Sequence, residues 1–125
     1  KTMLEIKLYT ALSGSTKITV LSSVSTRIYP LIVPQESAMP AITYARISGG
    51  QQNDLFGYSN LENPRIQIDC WAKTYKEVKT IAENVHAVLY ADTTFKAILV
   101  SDMDFYESDV ELYRESMDFK IWNRE

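Results

Sequence analysis

Hydrophobic positions change period once in this chain, between Pro64 and Tyr90, and the other segments read as elements packed on that unit. From Arg65 to Ala72, Ile66, Ile68, Cys70 and Ala72 alternate with Arg65, Gln67 and Asp69, the period of two that marks a half-buried strand. Thr74 and Glu77 then stand at capping-box spacing: the threonine oxygen accepts from an orphan amide while the glutamate reaches back to the cap amide. A helix is therefore predicted from Tyr75. Tyr75, Val78, Ile81, Ala82, Val85, Val88 and Leu89 recur at helical spacing, and Lys76, Lys79, Glu83 and His86 fall on opposite or flanking faces.

Upstream, Leu4, Leu8 and Leu12 recur every four residues, with Ile6 and Tyr9 nearby, and predict a short amphipathic helix over residues 3–12 that stops at Gly14. Ser15 or Thr16 caps a second short turn with Ile18, Val20 and Leu21, weak by propensity because of its β-branched residues. Residues 27–33 read as extended, and Pro30, lacking an amide donor, confines them to a sheet edge or a lead-in. Residues 41–48, A-I-T-Y-A-R-I-S, have the composition of a strand.

Residues 49–63 hold three glycines, three asparagines and two glutamines with no sustained period, which predicts a long flexible loop of functional type. Two readings stay open for it. Leu55, Phe56, Tyr58 and Leu61 are adhesive side chains on a flexible arm, or the segment tucks back and extends the flanking strands. After the central helix, residues 91–94 make a break and residues 95–106 resume as a strand, with Leu99, Met103 and Phe105 assigned to one side and Asp102 and Asp104 to the other. Residues 107–110 turn the chain. Residues 112–122 form a last strand, Tyr113, Met117, Phe119 and Ile121 alternating with Arg114, Ser116, Asp118 and Lys120.

The fold class predicted is α+β: an antiparallel sheet, mixed at most, of four to five strands with helices on one face. No internal repeat or linker divides residues 1–125, so one domain is expected, with the loop 49–63 as its irregular part. At that length a chain buries roughly two thirds of the surface its unfolded form exposes and needs neither disulfide nor metal to fold.

Charge narrows the function classes. A net charge of -3 and a pI near 5.2 do not suit a surface whose main task is to neutralise phosphates, so no specific nucleic-acid binding is expected. No apolar run approaches the roughly 18 to 20 residues of a membrane span and no secretory leader is evident, so a soluble product with no membrane partner is expected. Cys70, the single cysteine, falls on the apolar side of its strand and reads as a small buried hydrophobe. His86 lacks metal-helix spacing. Asp102, Asp104, Glu107 and Asp109 are acidic neighbours without the glycine and terminal glutamate of a calcium loop, and Gly49-Gly50 leads into no phosphate-binding helix. No catalytic residue, cofactor or metal is assigned. What remains is surface: Arg65, Gln67, Asp69, Arg114, Asp118 and Lys120 give the open sheet face mixed charge, suited to setting register against a neighbouring subunit.

Three stretches carry a resemblance: R-I-Y-P-L-I-V-P-Q-E-S-A-M-P-A-I-T-Y-A-R-I-S-G at 27–49, R-I-Q-I-D-C-W-A-K-T-Y at 65–75 and L-Y-R-E-S-M-D-F-K-I-W at 112–122. In order and spacing, over nearly the whole chain, they resemble the small tail-completion proteins of long-tailed bacteriophages and prophages. The resemblance implies a non-enzymatic tail terminator, a ring of six subunits on the head-proximal end of the tail tube. Such a ring stops tube polymerisation and joins the tail to the head connector. Its partners would be further copies of itself, the major tail tube protein and a head connector or stopper. It would assemble in the bacterial host cytoplasm and end in the neck region of the virion tail. On this reading Gln51, Gln52, Asn53, Asp54, Leu55, Phe56 and Tyr58 contact a subunit or the tube, and Asp102 and Asp104 line a lumen through which DNA slides. The alternative is another head-tail connector component, a stopper or minor tail protein, acting as an interaction module.

Overall fold

The computed structural model describes residues 4–21, 24, 27–35, 37–48, 51–54 and 57–124. Helix α1 covers Leu4–Ser13, a π-helical turn covers Lys17–Leu21, and helix α2 covers Tyr75–Ala91. The strands are β1 Ile28–Pro30, β2 Ala41–Ser48, β3 Gln51–Asp54, β4 Gly57–Glu62, β5 Arg65–Ala72, β6 Lys96–Glu107 and β7 Leu112–Arg124. None of the described helices is long and apolar enough to cross a membrane.

The α+β expectation holds. Five strands form the body in the order β1-β2-β5-β7-β6, and the sheet is mixed because β1 runs parallel to β2 while the remaining pairs are antiparallel. Pro30 ends β1 at the sheet edge, where a missing amide donor costs no ladder bond. Both helices lie on one face. Ile66, Ile68, Cys70 and Ala72 of β5 are buried beneath them, as the alternation predicts, and Met117, Phe119 and Ile121 of β7 continue the same layer.

Helix α1 contributes the leucine stripe Leu4, Leu8 and Leu12, all fully buried. It ends where the Gly14 amide donates to the Thr10 carbonyl, at 2.9 Å; a Cβ at Gly14 would stand 2.8 Å from that same oxygen. Polar contacts tie α1 to the sheet at two points. Arg46 of β2 grips Glu5 with bonds of 2.9 and 3.3 Å, and Lys7 donates to the buried Asn123 Oδ1 of β7 at 2.6 Å. Helix α2 buries Val78, Ile81, Ala82, Val85 and Leu89. Its first residue departs from the predicted stripe: Tyr75 is exposed, its ring edge-on to Tyr113 at 5.9 Å and its hydroxyl turned to Asp104. The Thr74 side-chain oxygen accepts from the Glu77 amide at 3.2 Å. Thr74→Ala is expected to lower the unfolding free energy by about 1 kcal/mol, read by urea titration, with no change in oligomeric state.

Of the two readings of residues 49–63, the described residues follow the one that extends the flanking strands, as β3 and β4. One predicted local detail is corrected. In β6, a register shift between Leu99 and Ser101 places one extra residue against β7 and resets the alternation. Leu99 consequently shares the helix side with Asp102 and Asp104, opposite Phe119, Met117 and Glu115, while Met103 and Phe105 lie on the open face opposite Ser116 and Arg114.

Candidate assembly surfaces

Strand registers build an arm. Strand β2 pairs with β5 from Ala41↔Trp71 to Ser48↔Arg65, and β3 pairs with β4 from Gln51↔Glu62 to Asp54↔Gly57, so one hairpin runs through both pairs. Leu61 and Glu62 meet β7 at Arg124 and Asn123, the last residues of that strand to be paired. The rest of β3 and β4 extends past the end of β7. Of the contact residues predicted in this segment, Gln51, Gln52, Asn53, Asp54 and Tyr58 have a described backbone and stand in strands, whereas Leu55 and Phe56 lie outside the described residues. Backbone ladder bonds need no apolar alternation, which is why a segment rich in Gln, Asn and Gly pairs without a strand-like sequence period.

The acidic pair of β6 stands on the helix side, near the start of α2. The Tyr75 hydroxyl donates to Asp104 at 2.8 Å, and Lys79 Nζ lies 3.1 Å from Asp104 and 3.0 Å from Glu115 of β7. These bonds, Tyr75 first, hold Asp104 below its ordinary carboxylate range against the opposing effect of burial. Burial pushes Glu115 the other way, above its ordinary range, although Lys79 opposes it. Asp102 is exposed beside this cluster, at the rim of a shallow groove that Lys79, Glu83, His86 and Glu115 also line. Sequence reasoning missed Glu115. Its signal was there: the glutamate occupies an inward position in the row Tyr113, Met117, Phe119, Ile121, and a buried carboxylate requires a cation.

On the open face, Arg114 organises the sheet. Its guanidinium lies 4.3 Å from the Phe105 ring centre and 5.4 Å from that of Trp71, and it donates to Glu107 at 2.9 and 3.1 Å, with Asp69 at 3.5 Å. Trp71 donates in turn to Thr43 at 3.2 Å. Arg65 pairs with Asp118 across β5 and β7. The mixed-charge face therefore has its central charges already matched within the chain. Exposed apolar side chains include Met103 in its middle, Leu31, Ile32 and Val110 at one end, and Ile98 and Trp122 at the other.

Burial, with the negative charges of Glu115 and Asp69, pushes the Cys70 thiol well above its ordinary range, so it is a poor nucleophile. Among the described residues, no group of three or more His, Cys, Asp or Glu side chains is placed to hold a metal ion.

The fold is a two-layer α+β body, helices on one face of a mixed sheet, with a paired β3/β4 arm. A family profile described as tail completion protein gp17 matches residues 6–124, and the chain belongs to that family. It is thereby a structural component of a phage-like tail. Among solved structures, a chain from "Virion of native gene transfer agent (GTA) particle" shares the fold, with a TM-score of 0.65 at 16% identity, over 92% of this chain and 90% of the other. Comparison with curated protein sequences gave no match.

Proposed function

We propose that this protein is a tail terminator acting by assembly rather than catalysis: copies close into a ring of six on the head-proximal end of the tail tube. The ring halts tube polymerisation and presents a docking surface to the head connector or stopper. The observation that carries the reading is the hairpin β2-β3/β4-β5, its β2/β5 part anchored in the sheet and most of its β3/β4 part extending beyond the last paired residue of β7, Arg124. A rigid body needs such a projection to reach a tube subunit or a neighbouring copy. Gln51, Gln52, Asn53, Asp54, Leu55, Phe56 and Tyr58 supply that contact.

Asp102 and Asp104 are the lumen-lining residues in this reading. Fixed negative charge repels the phosphate backbone, so DNA passes without sticking. A ring structure that puts both residues on its outer wall would remove this part of the reading.

Assembly takes place in the host cytoplasm before the tail meets the head. The test is the mass in solution by light scattering across a concentration series, alone and with the matching tail tube protein, together with tube lengths by electron microscopy. A hexamer alone, or a ring formed only on tubes that then stop growing, is the expected result. A monomer that leaves tube growth unchanged overturns the reading in favour of another connector component. Replacing residues 53–60 by Asn-Gly closes the hairpin after Gln52↔Leu61 with a favoured two-residue turn. The shortened protein is expected to keep its fold by circular dichroism while the concentration needed to arrest tubes rises about tenfold, the equivalent of ~1.4 kcal/mol.

A further inference from the structure

The open sheet face is chemically different at its two ends. At one end, residues 31–35, Ser37 and Met39 line, with the β6–β7 turn, a groove of about 540 Å³, walled by Leu31, Ile32 and Val110 and floored by Trp71. Leu31 and Ile32 are 72% and 74% exposed, and the Leu31 amide is tied to the Tyr44 carbonyl at 2.9 Å, so the β1 edge holds these apolar side chains in water. The groove rim is acidic. Glu107 is answered by Arg114, but Asp109 and the neighbouring Glu111 are exposed, and neither takes part in the described ion pairs.

At the other end, ten residues further along β7 and therefore roughly 33 Å away at 3.3 Å per residue, the same face carries Trp122 and Ile98. Lys96 stands opposite Trp122 and Lys120 opposite Ile98, both lysines are exposed, and neither takes part in the described ion pairs. One end is apolar with surplus negative charge, the other apolar with surplus positive charge.

We propose that copies of this chain join head to tail, the groove beside Val110 in one copy receiving the Trp122 end of the next. The proposal rests on the ring reading and names its subunit contact. Like ends repel, so a contact between two grooves or two Trp122 ends is disfavoured. Each copy offers both halves, and a contact between unlike patches propagates from copy to copy until rotation closes it into a ring. The aromatic anchor and aliphatic walls supply the desolvated centre, and Asp109 against Lys96 and Lys120 supplies steering and register at the rim.

The experiment uses Asp109→Lys and Lys120→Glu, separately and mixed. Both positions are exposed, and circular dichroism checks that each variant folds. Each variant alone is expected to associate about tenfold or more weakly than the parent by light scattering. An equimolar mixture is expected to recover assembly, because the groove altered by Asp109→Lys then meets the end altered by Lys120→Glu, and the unaltered groove of one variant meets the unaltered end of the other. The doubly cysteine-substituted chain, Asp109→Cys with Lys120→Cys, is expected to cross-link between copies with a short bismaleimide, Cys70 being buried. Rings from the parent whose variants assemble equally well, or whose mixture does not recover, overturn the contact and leave the ring standing. A particle that stops at two copies overturns the head-to-tail arrangement. A parent that forms no ring, alone or on tubes, removes the ring reading and this proposal together.

Discussion

Phe119→Ala is expected to lower the unfolding free energy by about 3–5 kcal/mol in urea titrations, the largest single effect predicted for this chain. Phe119 is fully buried in β7, beside Ile66 of β5 and Leu99 of β6, with the His86 ring of α2 at 6.1 Å. Removing the ring loses its transfer free energy and leaves a cavity between sheet and helix that the ladder bonds on both sides of β7 prevent from collapsing. A domain of this size is stable by about 5–15 kcal/mol, so the variant would sit near the edge of folding. The control is Ile98→Ala on the open face of β6, where about half the side chain already meets water. Its cost to the monomer should stay within roughly 0.5 kcal/mol. Equal losses from the two substitutions would contradict the assignment of the core to the helix side.

Lys79→Ala is expected to cost about 2 kcal/mol at pH 7, and less on acidification. Breaking a buried ion pair costs about 3–5 kcal/mol because a charge is left without a partner, and the figure is reduced here because Lys79 is itself 41% exposed. Glu115 has only 3% of its surface exposed, so the lysine's removal leaves its carboxylate poorly solvated. The sign of the pH dependence follows from the two carboxylates. Glu115 is raised above its ordinary 4.5, chiefly by burial, so its ionisation disfavours the fold; the penalty is complete above the folded value and fades as pH falls toward 4.5. Loss of Lys79 raises that value further. Asp104 is depressed below 3.8, by Tyr75 first, and its contribution is present above 3.8 and lost as pH falls through the folded value. As pH falls from 7 to 4.5 the Glu115 effect therefore dominates, and the gap between variant and parent should narrow. Lys79→Ala combined with Glu115→Gln should recover most of the loss at pH 7. A gap that stays constant all the way from pH 7 to pH 4.5 would mean that the buried carboxylate is not its source.

Much of the fold was legible in the chain because local period reports which side faces the core. The alternation in β5, the leucines of α1, the Thr74 cap and the Phe119 row of β7 each need only a few neighbouring residues to interpret. The family likeness was legible as well, in stretches that the matching profile spans. Features that join distant segments were not. The parallel β1–β2 pair and the pairing of Lys79 with Glu115 depend on which elements become neighbours, and local period carries no record of that; for the continuation of β2/β5 into β3/β4 it left two readings open. The bulge before Ser101 shows the limit most directly. One extra residue in β6 exchanged the faces assigned to Met103 and Asp102, because the side-chain period in a strand is two and a shift of one inverts it. The end groove also formed only when residues 31–35 and the β6–β7 turn met at the end of the sheet. The sequence by itself determined the elements, their inward faces and the family; the tertiary structure decided the neighbours, and with them the arm, the buried ion pair and the two unlike ends of the open face, because pairing between strands is a property of residues far apart in the chain.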